Sequence, residues 1–150
     1  MWKHKILIDV LRIIIGSVFI VSSILKMTSI NTFVGEVNEY IDLYMPQWLH
    51  GWNIPCAIGV CVLELLVGLL ALWKKQIRRM SCLSLLLLTF FVWLTGVNLF
   101  FPTIFGSIES CGCFGELIHF TPVVSFVKSM VLWVLALVLL IEVMIERKNA

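Results

Sequence analysis

Four stretches of nearly unbroken apolar residues, Ile6 to Leu25, Ile54 to Trp73, Met80 to Phe101 and Val123 to Val143, limit this chain more than any other feature of its sequence. Each is about 20 residues long. At about 1.5 Å of helical rise per residue, such a run crosses the roughly 30 Å hydrocarbon layer of a bilayer. One run of this kind fits a buried helix of a soluble protein. Four of them in 150 residues leave too little polar surface to face water. Of all residues 61% are hydrophobic and 13% charged, against about 45–50% and about 25% in soluble domains. No run alternates with period two, which sets barrel strands aside. The expected fold is an all-α integral membrane protein, a four-transmembrane-helix bundle forming one domain over residues 1–150.

The first run begins like a secretory leader, because Lys3 and Lys5 precede it. It is longer than a leader's apolar region, and Val21-Ser22-Ser23 lacks an A-x-A-like cleavage site, so it reads as a retained helix. Charge then orients the bundle. Nine of the eleven Lys and Arg residues lie before or early in the first run, in the short Lys74 to Arg79 connection, or at Arg147 and Lys148. With four spans these segments share one face, and the positive-inside rule makes it cytoplasmic. Both chain ends are then expected in the cytoplasm, and the connections Lys26 to Asn53 and Pro102 to Pro122 outside. So short a basic loop between two spans reads as a topology determinant rather than a nucleic-acid patch.

In the first outer connection Ile30, Phe33, Val34, Val37, Tyr40, Ile41 and Tyr44 recur at helical spacing, with Glu36, Asn38, Glu39 and Asp42 on the other face. This predicts an amphipathic helix in the membrane interface. Its three acids and lack of bases favour a lid over the bundle mouth rather than attraction to anionic lipid. Asn53 is placed to cap the second span, with Pro55 in its first turn.

The second outer connection carries Glu109-Ser110-Cys111-Gly112-Cys113-Phe114-Gly115-Glu116, then His119 and Thr121-Pro122. A disulfide across one intervening residue closes a ring too short for relaxed geometry, and strain makes such a bond easy to reduce. The following helix N-terminus favours a thiolate, and His119 is a proton donor or acceptor. Three readings stand side by side: a redox-active pair, a metal site using Cys111, Cys113 and His119, and a loop whose thiols only help packing. The metal reading lacks a fourth ligand and a C-x-x-C element, so the redox reading leads and no metal is assigned.

Cys56 and Cys61 fall in the first two turns of the second span, near the same outer surface, and are candidate relays to Cys111 or Cys113. Both also fit as small packed residues. Cys82, at the other face, reads as packing. Glu64 lies near the middle of the second span, where an acid costs a few kcal/mol and must face the bundle interior, paired or neutral. Cys61, Glu64 and Gly68 share one helical face. Lys128 either reaches toward Glu64 or snorkels outward. Lys26 reads as a snorkelling anchor or a partner for the acids of the outer connection.

Together, Ser23-x-x-Lys26, Leu63-Glu64-Leu65-Leu66, Cys111-Gly112-Cys113-Phe114-Gly115, Thr121-Pro122 and Lys128 resemble the MauE branch of the DoxX-like membrane proteins over nearly the whole chain. The resemblance implies a bacterial inner-membrane protein linked to methylamine utilisation. Such a protein supports disulfide formation in an exported dehydrogenase subunit alongside a thioredoxin-like partner. The plan is also similar to that of the vitamin K epoxide reductase proteins, but those use C-x-x-C, so a quinone cofactor is an analogy only. The leading expectation is thiol–disulfide exchange through Cys111 and Cys113 with an exported thioredoxin-like protein or thiol substrate. The alternative is a non-enzymatic assembly subunit that binds a periplasmic partner through the lid helix and the second outer connection.

Overall fold

The computed structural model describes residues 2–44, 46–100 and 122–149. It contains α1 (Trp2–Thr28), α2 (Ile30–Tyr44), a 3-10 segment (Gln47–Trp52), α3 (Asn53–Leu70), a 3-10 turn (Lys74–Gln76), α4 (Ile77–Phe100) and α5 (Pro122–Asn149). Four of the helices, all but α2, are long and apolar enough to cross a membrane. The protein is thus an all-α four-helix membrane protein, and among the described residues there is no strand.

The helices run past the apolar stretches. α5 continues through Glu146, Arg147 and Lys148 to Asn149, because these residues, charged as they are, still favour helix. At about 1.5 Å per residue, α1 and α5 each measure roughly 40 Å, more than the hydrocarbon layer is thick. α3 is shorter, with 18 residues. Its last turn is held from outside: Arg12 Nη1 donates to the Ala71 carbonyl at 2.7 Å. The expected Lys74 to Arg79 loop is shorter than the charges suggested, since Arg78 and Arg79 already belong to α4.

Packing follows a ring. α1 lies against α3 and α5, and α4 lies against α5 and α3. One end of the ring gathers the start of α1, the turn after α3 and the end of α5. There Lys74 Nζ lies 2.9 Å from Asp9 Oδ2, Arg12 Nη2 lies 3.2 Å from Asp9 Oδ1, and His4 Nδ1 lies 2.6 Å from Glu142 Oε2. This is the basic end. The opposite end carries α2, the start of α3, the end of α4 and the start of α5.

Inside the ring Ile8, Leu11, Ile15, Phe19, Val67, Met80, Leu88 and Leu139 form the core. Ile13, Ile24, Leu66, Leu86, Val131 and Ile141 point outward, as side chains bathed in lipid should. Lipid is as apolar as leucine, so close packing, not the hydrophobic effect, must hold the helices together. Small residues allow it. A Cβ on Gly68 would strike Ile20 Cγ1 and stand 3.2 Å from both the Gly16 carbonyl oxygen and the Ile20 nitrogen. Gly16 is equally tight, for a Cβ there would collide with that of Ala71. On α4 Ser81 and Ser84, and on α5 Ser125 and Ser129, are buried. Thr95, also buried, donates to its own helix at the Phe91 carbonyl, 2.7 Å away.

Gly68→Val is therefore expected to force α1 and α3 apart, because two of the three nearest atoms are backbone and cannot swing aside. The cost is about 1–3 kcal/mol or more, read as a lower melting midpoint in detergent. An unchanged midpoint would mean that the two helices do not touch there.

Candidate functional site

The second span turns one stripe inward, comprising Ala57, Cys61, Glu64, Val67 and Gly68. α1 answers with Ser22, Ser23 and Lys26, which its own helical period places on one face. The two stripes meet. Lys26 Nζ lies 2.6 Å from Glu64 Oε1, with both side chains only 1% exposed. Ser22 Oγ donates to Glu64 Oε2 at 3.3 Å, and Ser23 Oγ to the Cys61 carbonyl at 2.9 Å. Glu64 is thus held at both carboxylate oxygens.

The ammonium group sits between two aromatic faces. The Phe33 ring centroid is 5.2 Å from Lys26 Nζ, and that of Phe91 is 4.9 Å away. Such contacts add about 0.5–2 kcal/mol each to a desolvated cation. Phe33 comes from α2, whose apolar face lies on α3. Phe33 packs with Ala57 and Cys61, joined by Ile30, Val34, Val37 and Val60. α2 follows α1 after a single residue, and the Phe33 amide donates to the Ser29 carbonyl at 3.0 Å. In the middle of α2, Asn38 Oδ1 accepts from Asn53 Nδ2 at 3.3 Å. Asn53 is thus a clamp between α2 and α3 and not the expected cap, since it is itself helical and its side-chain oxygen accepts only from the adjacent Ile54 amide.

Beside the pair lies a cavity of about 30 Å³, bounded by Ser22, Glu64, Lys128, Ser129, Phe91 and Leu132. It has room for roughly one or two water molecules and for no larger ligand. The arrangement therefore holds charge and hydrogen bonds in a nearly dry interior. A ring-sized cofactor does not fit in it.

Of the residues singled out in the sequence, Glu64 and Lys26 meet directly, and Lys128 lines the same cavity. The view of Lys26 as a surface anchor is corrected: α2 folds back over the end of α1 and closes it off from solvent. Cys61 is buried one turn before Glu64, whereas Cys56, in the first turn of α3, is exposed. Cys111, Cys113 and His119 lie outside the described residues. Among the described residues no group of three His, Cys, Asp or Glu side chains converges on a metal position. Sequence reasoning missed Ser22, Phe33 and Phe91 as parts of the site. Ser22 did carry a signal, since it stands four residues before Lys26 and so on the same helical face.

Comparison with known proteins bears on this geometry. The family described as methylamine utilisation protein MauE matches residues 4–142. Protein TlpB of Flavobacterium psychrophilum is 33% identical over 135 residues, which cover 86% of this chain and 35% of that protein. The chain thus spans about a third of the length of this curated relative. No solved structure matches the chain significantly. The family match runs from the first turn of α1 to the last turns of α5 and takes in both halves of the ion pair. The chain belongs to the MauE family of multi-pass membrane proteins.

Proposed function

We propose that the protein supports thiol–disulfide exchange of exported proteins from within the bacterial inner membrane, with Cys111 and Cys113 as its reacting thiols. The observation that carries this reading is Cys111-Gly112-Cys113-Phe114-Gly115 in a MauE-family chain, between two helices that end away from the basic end of the bundle. With the basic end cytoplasmic, that connection faces the exported compartment, where disulfides persist. In the exchange, a partner thiolate attacks the Cys111–Cys113 disulfide and a mixed disulfide forms. The partner's second thiol then resolves it. The partner leaves oxidised and the C-x-C pair leaves as two thiols, so two electrons and two protons pass to this chain. The same steps reversed reduce a partner.

Cys56 is the accessible candidate for a relay in α3, and Cys61 is closed off beneath Phe33. The Lys26–Glu64 pair fixes α1 to α3 directly under this face. The rival role is an assembly subunit that binds a partner through the lid helix and the second outer connection, and it loses one of its surfaces, the apolar side of α2. Phe33 and Ile41 on that side are buried against the bundle and are not open to a partner.

Alkylation of intact cells before and after reduction, followed by peptide mass analysis, tests the reading. Cys111 and Cys113 are expected to take up label only after reduction, at least in part of the population. Cys56 is expected to label quickly, and Cys61 only once the protein is unfolded. Full labelling of Cys111 and Cys113 without reduction, together with an unchanged redox state of exported thiol proteins when both are replaced by Ser, would overturn the proposal.

A further inference from the structure

At the basic end a groove of about 740 Å³ runs between the start of α4 and the end of α5. Its floor is apolar, formed by Leu140, Val143 and Met144, and its rim carries Arg78, Arg147 and Lys148. Glu146 is the single acid that lines it. Lys74, Arg12 and His4 at this end are matched, the first two by Asp9 and the third by Glu142, whereas Lys3, Lys5, Lys75 and Arg79 are exposed there but do not line the groove. Among the described residues the three rim cations make no ion pair, and all three are exposed. The rim therefore holds three positive charges against one negative, directly above an apolar channel. Exposed Trp2 and Trp73 stand at the same end, as aromatic side chains do where a bilayer meets water.

A small oxyanion would use the rim and leave the floor bare, while a neutral lipid would use the floor and leave the charges unmatched. An anionic phospholipid satisfies both. We propose that this groove binds one, with acyl chains along Leu140, Val143 and Met144 and the headgroup phosphate between Arg78, Arg147 and Lys148. The site is independent of the thiol chemistry proposed above.

Cys82 lines the groove and is exposed, so it reports occupancy. The full chain in detergent is titrated with phosphatidylglycerol or with phosphatidylcholine of the same acyl chains. Retained lipid is measured by native mass spectrometry and Cys82 by its rate of maleimide labelling. Phosphatidylglycerol is expected to be retained preferentially and to slow the labelling of Cys82. Joint Arg78→Gln, Arg147→Gln and Lys148→Gln substitution should weaken its binding by about tenfold or more. Joint Lys3→Gln, Lys5→Gln and Lys75→Gln substitution, at the same end but outside the groove, should leave binding within about twofold. Met144→Trp, which fills the floor and keeps every charge, should also weaken it. Equal retention of the two lipids, or equal loss in both triple variants, would reduce the effect to general charge attraction and overturn the site. Protection of Cys82 by inorganic phosphate alone would overturn the lipid assignment.

Discussion

Replacing Glu64 with alanine is expected to cost about 3–5 kcal/mol of stability, because it strands the buried ammonium of Lys26 with no countercharge. Folded proteins hold only about 5–15 kcal/mol in total, so the variant should melt roughly 10 °C lower or fail to accumulate. The informative partner is the double variant Lys26→Met with Glu64→Leu, which removes both charges and nearly keeps the volume. Hydrophobic replacement of a whole buried pair is often neutral or better, so the double variant should recover most of the loss. Thermal unfolding in detergent, scored by retention of folded monomer, gives the comparison. Equal damage in the single and double variants would mean that the loss comes from packing and not from an orphaned charge. Lys26→Met alone should be less harmful than Glu64→Ala, since Glu64 keeps the Ser22 hydrogen bond and Lys128 lines the same cavity.

The second large effect concerns chemistry. Cys113→Ser leaves Cys111 able to attack a partner disulfide but unable to close its own ring, so the mixed disulfide has no resolving thiol on this chain. A covalent adduct between this protein and an exported thiol protein should then accumulate, visible as a reducible band on non-reducing gels. Cys111→Ser is the companion variant, and replacing both residues should abolish the adduct. The redox state of exported substrates should shift in all three variants, with the loss of exchange close to complete in the double one. Unchanged substrate redox state in the double variant would leave the C-x-C segment without a role in exchange. In that case the ion-pair prediction would be unaffected, because the pair rests on its own contacts with Ser22, Phe33 and Phe91 and involves neither cysteine.

Much of this architecture was legible in the order of the residues. Four apolar runs gave the spans, and the spacing from Ile30 to Tyr44 gave α2 with its apolar side. The inward stripe of α3 followed from Cys61, Glu64 and Gly68. Lys26 was not legible. A lysine at the outer end of an apolar run looks like an anchor, because its stem ordinarily lets the charge reach water. That reading fails only when another element covers the route, and here the cover is α2, placed by the one-residue link at Ser29 and by the Asn38–Asn53 contact. The different surroundings of Cys56 and Cys61 were hidden for the same reason. Five residues along a helix separate two faces, but the identity of the buried face depends on what packs there.

The meeting of Lys26 and Glu64 also bears on how the chain enters the membrane. α3 is apolar enough to leave the insertion machinery as a span, with a mean hydropathy of 2.1, yet it carries an acid near its centre. An acid at that depth opposes insertion by about 2.5–3.5 kcal/mol while the helix stands alone. α1 is synthesised first, so its ammonium is already waiting when α3 emerges. The N-terminal helix then serves as a receiving berth for the next one, and an α1 lacking Lys26 should leave α3 slow to settle during translation even before the finished bundle is tested.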